Sequence, residues 1–400
     1  MKLKKVFSQL FLYTLCLSVL VVNSFGGAEF VSGDTVRILL LDGVEKVELG
    51  ATANIIIFDA ENNLVNLEPS APMIIRASGT GFSINGKKVN QPNLKIVGVE
   101  NVQPLPENKT VPLLSINGKK YRGELRIINN GGAMVVVNVL DLEEYLCGVV
   151  PREMPHSWHQ EALKAQAVAA RTYTLNCLEN RKNRNSTYDL KCTIADQVYG
   201  GYKDEKPNCD SAILATRGEI LVYEDKPILA CYHGNSGGVL EDDTDVFGTR
   251  LPYLKGKLDK YAPTSGKYSW SKTITADEIR TRLNGNGLNL GQIQEIKLSE
   301  VVDSGRVRQV TINHANGTTK LSGVSFRQKM GTTFIRSTLF TLEKQGNQYL
   351  FCGKGSGHGV GMSQWSAQRM AEQGISYQEI LAYFYPGTTL VKIQSIIKEE

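Results

Sequence analysis

The sequence predicts an α+β fold: a β-rich mixed body around a central alanine-rich helix, with a small N-terminal β region. Three observations carry this. Residues 34–140 alternate β-branched runs with Asn, Gly and Pro turns. Residues 158–180 hold alanines at 162, 165, 167, 169 and 170, which favour helix and close packing. Glycine is abundant (38) and proline modest (13), which favours many turns over a helical bundle. At 42% hydrophobic and 21% charged, the 400 residues are of globular composition, which excludes collagen-like, disordered and multi-span membrane chains.

The chain opens with Lys2, Lys4 and Lys5, an apolar run over 6–22, and small residues at Ser24, Gly26, Gly27 and Ala28. That is the layout of a secretory signal over 1–28. Ser8, Gln9, Thr14 and Ser18 make the run polar for a membrane span, and only an uncleaved 6–22 would anchor the protein to a membrane. Export to the periplasm, cell wall or extracellular space is therefore expected. Losing the leader lowers the formal charge from +5 to +2, so no basic field supports nucleic-acid binding. Of seven cysteines the leader takes Cys16. The remaining six form no CxxC pair, and Cys192 with Cys209 is the one disulfide the spacing suggests.

Strands are expected at "TVRILLLDG", "ATANIIIFDAE", "PMIIRASG", "LKIVGVE" and "GELRIINNGGAMVVVNVL", and "SING" recurs at 83–86 and 115–118. Asp141 with Glu144 fits a capping pair for a helix that Pro151 ends. Ser157 with Gln160 repeats the pattern before the alanine-rich helix, as do Thr275 with Glu278 and Ser376 with Glu379 further on. Another helix runs from about Ser363 to Gly374. The expected divisions are a leader (1–28), an N-terminal β-rich region (29–111), a first core part (112–261), a mixed insert (262–345) and a C-terminal core part (346–400).

Several segments could carry chemistry. Glu153, in "GVVPREMP", sits between two helices and two prolines, where desolvation raises a carboxyl pKa and suits it to donate a proton. It could equally be a surface or capping glutamate. Lys164 and Arg171, seven apart, share a helix face and could bind an anionic or hydroxyl-rich substrate, or pair with core carboxylates. Cys231, His233 and Ser236 invite a nucleophile reading, but "ACYHGNSGG" has no nucleophile elbow and reads better as a strand entering a glycine turn. Tyr253 and Lys255 alternate on an extended segment, either beside a sugar or on an ordinary edge. His358 lies in a glycine-rich loop that lacks Walker, Rossmann and zinc-ligand partners.

The motifs "GVVPREMPHSWHQEALKAQAVAARTYTL", "QVYGG", "NSGG", "LPYLK" and "GHGVGMSQWSAQRMAEQGISYQEILAYFYPGT" occur in one order over about residues 112–390. With them the chain resembles the stage II sporulation protein D family, exported or membrane-anchored peptidoglycan lytic transglycosylases. The resemblance implies that Glu153 is the acid/base. It implies that Lys164, Arg171, Tyr253 and Lys255 hold the glycan, and that Ser236 and His358 line the cleft. Some members bind zinc before the Q-x-Y segment. Here Asp196 precedes Gln197 and only Cys192 survives of that cluster, so neither a metal nor another cofactor is expected. The implied partners are peptidoglycan glycan strands and other wall hydrolases such as an amidase. The implied reaction cleaves the MurNAc–GlcNAc β-1,4 bond to a 1,6-anhydro end. Three rivals remain: a non-catalytic glycan binder that activates or recruits a cell-wall amidase; a peptidase using Cys231 or Ser236; and a two-carboxylate glycosidase pairing Glu153 with Asp141, Glu143 or Glu144.

Overall fold

The computed structural model describes residues 35–65, 72–99, 111–181, 187–263 and 266–393. The leader expected at 1–28 lies outside them. Among the described residues no helix is long and apolar enough to cross a membrane.

Among the described residues eleven strands precede the first helix: β1 (Thr35–Val44), β2 (Lys46–Ala51), β3 (Asn54–Asp59), β4 (Met73–Ser78), β5 (Gly81–Ile84), β6 (Lys87–Val89), β7 (Asn93–Val99), β8 (Leu114–Ile116), β9 (Lys119–Tyr121), β10 (Glu124–Asn130) and β11 (Ala133–Asp141). With the short β12 (Leu190–Lys191), they form two six-stranded sheets, ordered β12-β1-β11-β10-β7-β3 and β6-β5-β4-β2-β8-β9. Strands from both sides of residue 112 share both sheets, and their apolar side chains join one core with the helices. The N-terminal β region is thus continuous with the body.

Local sequence explains the details. β11 is apolar from Met134 to Leu140 except at Asn138, and buried throughout that stretch because both faces are covered. Met134, Val136 and Leu140 enter the main core, while Val135, Val137 and Val139 meet Leu39 on the other face. The two "SING" segments are equivalent hairpin turns, with positive φ at Asn85 (47°) and Gly86 (86°) and at Asn117 (50°) and Gly118 (78°). Each asparagine docks identically. Asn85 Oδ1 accepts from Ile74 N (2.8 Å) and Asn117 Oδ1 accepts from Glu48 N (2.9 Å). β1 and β12 pair in parallel with Ile38 opposite Leu190, and Arg37 and Asp189 form an ion pair (2.6 Å) beside them.

The body's helices are α1 (Leu142–Glu153), α2 (Gln160–Arg181), α3 (Pro207–Ala215) and α4 (Asp243–Phe247). Asp141 caps α1, accepting from Glu143 N and Glu144 N. Pro151 does not end α1; the helix continues to Glu153, and Met154 N still reaches Val150 O (3.0 Å). Ser157 does not cap α2. The chain turns first, and His159 Nδ1 accepts from Glu161 N (3.2 Å) instead. The alanines of α2 are buried, so α1, α3 and two C-terminal helices pack closely on it.

A second core spans Trp270 to Phe351. Two three-stranded sheets build it, one from Ser269–Thr275, Gln348–Lys354 and Phe340–Gln345, the other from Ile293–Val301, Val307–His314 and Gly317–Ser322. The helices α5 (Ala276–Gly285) and α6 (Gly323–Met330) belong to it. The last helices are α7 (Gln364–Glu372) and α8 (Tyr377–Phe384). The capping boxes at Thr275–Glu278 and Ser376–Glu379 are both present. Among the described residues no cysteine forms a disulfide, so Cys192 and Cys209 are not joined.

Candidate active site

Glu153 is the last residue of α1. A helix C-terminus carries partial negative charge, which disfavours a carboxylate there. Burial is the main cause that raises the Glu153 pKa above the usual glutamate value. Hydrogen bonds from Val198 N–H (3.1 Å to Oε1) and from the Gln364 side chain oppose the rise, as does the nearby Arg152 charge. The result is a half-buried acid biased toward its protonated form.

The "QVYGG" segment is held against α1 by nearly every residue in it. Gln197 is buried and accepts from Tyr145 Oη (3.2 Å) and Thr174 Oγ1 (2.9 Å) while donating to Tyr232 Oη (3.0 Å). Tyr199 Oη donates to Asn138 Oδ1 (2.9 Å). A Cβ at Gly148 would come within 2.5 Å of the Tyr199 ring, so that glycine lets the segment lie flat on the helix. These contacts aim Val198 N–H at Glu153. On the other side Gln364, the first residue of α7, donates to Gln166 of α2 (3.2 Å). Trp365, next in the chain, packs edge-on with Trp158 (centroids 4.5 Å) and with Tyr268 (5.1 Å). Tyr268 immediately precedes the first strand of the second core, so that part of the chain supplies a ring to this wall.

The two glycine motifs interlock. Asn235 and Ser356 exchange backbone hydrogen bonds (2.9 and 2.8 Å), and Trp365 N donates to Gly234 O (3.0 Å). Arg306 comes from the second core and is almost wholly buried, its guanidinium donating to Ser236 O (2.6 Å) and Val239 O (3.1 Å). A Cβ at Gly359 would strike that guanidinium at 2.5 Å.

The other expected residues fall in different places. Arg171 was expected to bind substrate, but it is fully buried. Its guanidinium makes paired 2.7 Å bonds to Glu143 and also donates to Glu219 O and Ile213 O. It is a strut between helices, closed off from a ligand by its burial. Lys164 pairs with Glu161 (2.7 Å) and lies over the Tyr377 ring, tying α2 to α8. Ser236 is buried, donating to Asp259 Oδ2 (2.7 Å), which also accepts from Ser366 (2.7 Å). Tyr253 is buried with its hydroxyl on Leu229 N (3.2 Å). Lys255 stays at the surface, 3.7 Å from Asp242. His358 Nδ1 accepts from Val360 N (3.1 Å), so Nε2 donates to Tyr232 O (2.9 Å). Burial lowers its pKa to about 4, which keeps it neutral. Glu153 is the one carboxyl group among these, and burial biases it toward its protonated form.

The geometry also bears on the rivals. Burial raises the Cys231 thiol to about 12, so it holds almost no thiolate near neutral pH. Ser236 bonds an aspartate and not a histidine. Glu144 lies nine residues before Glu153 on one helix, about 14 Å along its axis, beyond the separation of a paired-carboxylate glycosidase. Asp141 and Glu143 are further still, and both are engaged in capping or ion pairing. Among the described residues no group of three His, Cys, Asp or Glu is arranged to hold a metal ion.

Comparison with known proteins gives the family. The stage II sporulation protein family model matches residues 130–223, and a model for a domain of unknown function matches 249–361. An uncharacterized protein of Brachyspira hyodysenteriae is 35% identical over 285 residues, covering 71% of this chain and 76% of that protein. Stage II sporulation protein D of Bacillus amyloliquefaciens is 32% identical over 277 residues, 66% of this chain and 78% of its own. The amidase enhancer of Bacillus subtilis is 32% identical over 394 residues, 86% of this chain but 53% of its own, so the chain spans about half of that relative. The chain belongs to the stage II sporulation protein D family.

Proposed function

We propose that this protein is an exported lytic transglycosylase acting on the glycan strands of peptidoglycan, on stretches stripped of peptide. The observation that carries this is one half-buried carboxyl, Glu153, biased toward its protonated form, with no second carboxylate among the charges that act on it. A hydrolase normally uses two such groups, whereas a transglycosylase can work with one. Protonated Glu153 donates to the glycosidic oxygen as the C1–O bond breaks. The resulting carboxylate then takes the proton of the muramic acid 6-hydroxyl as that oxygen closes on C1. The product is a 1,6-anhydro end, no water is consumed, and Glu153 ends protonated as it began. Val198 N–H and Gln364 stabilise its charged interval. Trp158, Trp365 and Tyr268 offer ring surface for sugar faces.

Mass spectrometry of glycan strands after incubation with wild type and with Glu153→Gln tests the reading. Anhydro-muramic ends from wild type alone support it. Reducing ends would replace it with hydrolysis. The amidase enhancer relative supports a second reading, glycan binding that recruits or stimulates an amidase. Intact strands that still bind wild type, with faster amidase action when it is added, would favour that one.

A further inference from the structure

A groove of about 1120 Å³ adjoins Glu153: Val198, which donates to Glu153, and Arg152, its neighbour in the chain, line it. Lys119, Lys120, Arg152 and Lys203 line it too, against one acid, Asp204. Asp204 is spent on Arg152 (3.5 Å). The three lysines are exposed, and among the described residues none has an ion pair with a carboxylate. Tyr202 adds a partly exposed ring.

The groove is built in advance. The Asn117–Gly118 turn presents Lys119 and Lys120, and Asn117 is bonded in both directions to Glu48. Gly201 has φ of 73°, and a Cβ there would meet Lys120 O at 2.6 Å and the Tyr121 ring at 2.8 Å. The missing side chain therefore lets the lysine hairpin lie against the segment that aims Val198. Tyr121 and Tyr199 pack across the same seam (6.0 Å). Holding unpaired cations in a half-enclosed groove attracts anions and discriminates against neutral chains.

We infer that this groove is an anion-reading subsite: Lys119, Lys120 and Lys203 bind acidic groups of a saccharide chain lying across Glu153. The inference rests on the proposed transglycosylase reading for its substrate and names the part of it that is read. Carboxylates on muramic acid residues free of peptide would supply the charge, and so would phosphates of an anionic wall polymer.

The test is binding by the full chain carrying Glu153→Gln, measured by calorimetry with three probes. These are peptide-free glycan strands, the same strands with their carboxylates amidated, and poly(glycerol phosphate). Each is repeated with Lys119→Gln, Lys120→Gln and Lys203→Gln combined, which alter exposed side chains only. Amidation and the triple substitution should each weaken strand binding about ten-fold and flatten its salt dependence. Lysine-dependent binding confined to the phosphate polymer would overturn the assignment to a saccharide chain and leave a phosphate site in its place. Strand binding indifferent to both amidation and the lysines, with no lysine-dependent polymer binding, would overturn the subsite. The two proposals fail separately: lysine-dependent binding by a wild type that makes no anhydro ends sinks only the transglycosylase, and anhydro ends with lysine-independent binding sink only the groove.

Discussion

The two ends of α1 hold carboxylates in opposite circumstances. At the N-terminal end Glu143 faces the positive helix pole and two bonds from buried Arg171. At the C-terminal end Glu153 faces the negative pole, with neutral partners at Val198 and Gln364 and only Arg152 as a nearby cation. One end satisfies its charge and gains rigidity. The other leaves charge unfavourable and gains a transferable proton. On the proposed reading, a matched cation marks a structural carboxylate, and its absence in a buried place marks a chemical one.

The largest test of that contrast is Glu153→Gln. Proton transfer by a placed side chain is worth about 10²–10⁴-fold, so anhydro-end formation should fall by that much. Stability should move the other way. The folded pKa of Glu153 is raised, so wild type is penalised progressively as pH climbs from about 4.5 through the folded value. Denaturant melts should show the glutamine variant at least as stable as wild type at neutral pH, with the advantage vanishing below about pH 4.5. A variant that is inactive and clearly less stable at neutral pH would make Glu153 structural.

Next is the opposite end. Arg171→Met strands Glu143 among buried groups and should cost about 3–5 kcal/mol in urea melts. Adding Glu143→Gln should recover most of it. A single substitution that leaves stability intact but raises KM would return Arg171 to the substrate cleft. A smaller effect is expected from Asp141→Ala, which removes the α1 cap and should cost about 1 kcal/mol without changing the product. The smallest is a shift of pH profile. If donation by protonated Glu153 limits the rate, kcat/KM falls as pH rises through the raised pKa. Gln364→Ala removes a bond that favours the charged form, so that descending limb should move to higher pH. A limb that moves lower would mean that Gln364 stabilises the acid instead.

The sequence disclosed what is local. The capping boxes at Thr275–Glu278 and Ser376–Glu379 each join residues three apart, and both form. The Asn-Gly turns specify their hairpins by φ alone. It left open or misplaced what depends on distant partners. Arg171 meets Glu143 across 28 positions, and His159 displaced Ser157 as the α2 cap because the chain makes a turn before the helix. Glu153 was legible as a candidate from its prolines and helix boundary. Val198, Gln166 and Gln364 were not, since a backbone N–H and two neutral amides carry no mark of chemistry until folding brings them together.

The parallel pairing of β1 with β12 sets a timetable. A ribosome delivers Ile38 long before Leu190, its partner across the sheet. At roughly 5–20 residues per second that gap lasts on the order of ten to thirty seconds. Throughout it one edge of the earliest strand has nothing to bind, and the Arg37–Asp189 clasp cannot close. A nascent chain with this topology stays open for that interval, available to a chaperone or to a translocation channel, and completes this sheet only after its central helix has been made.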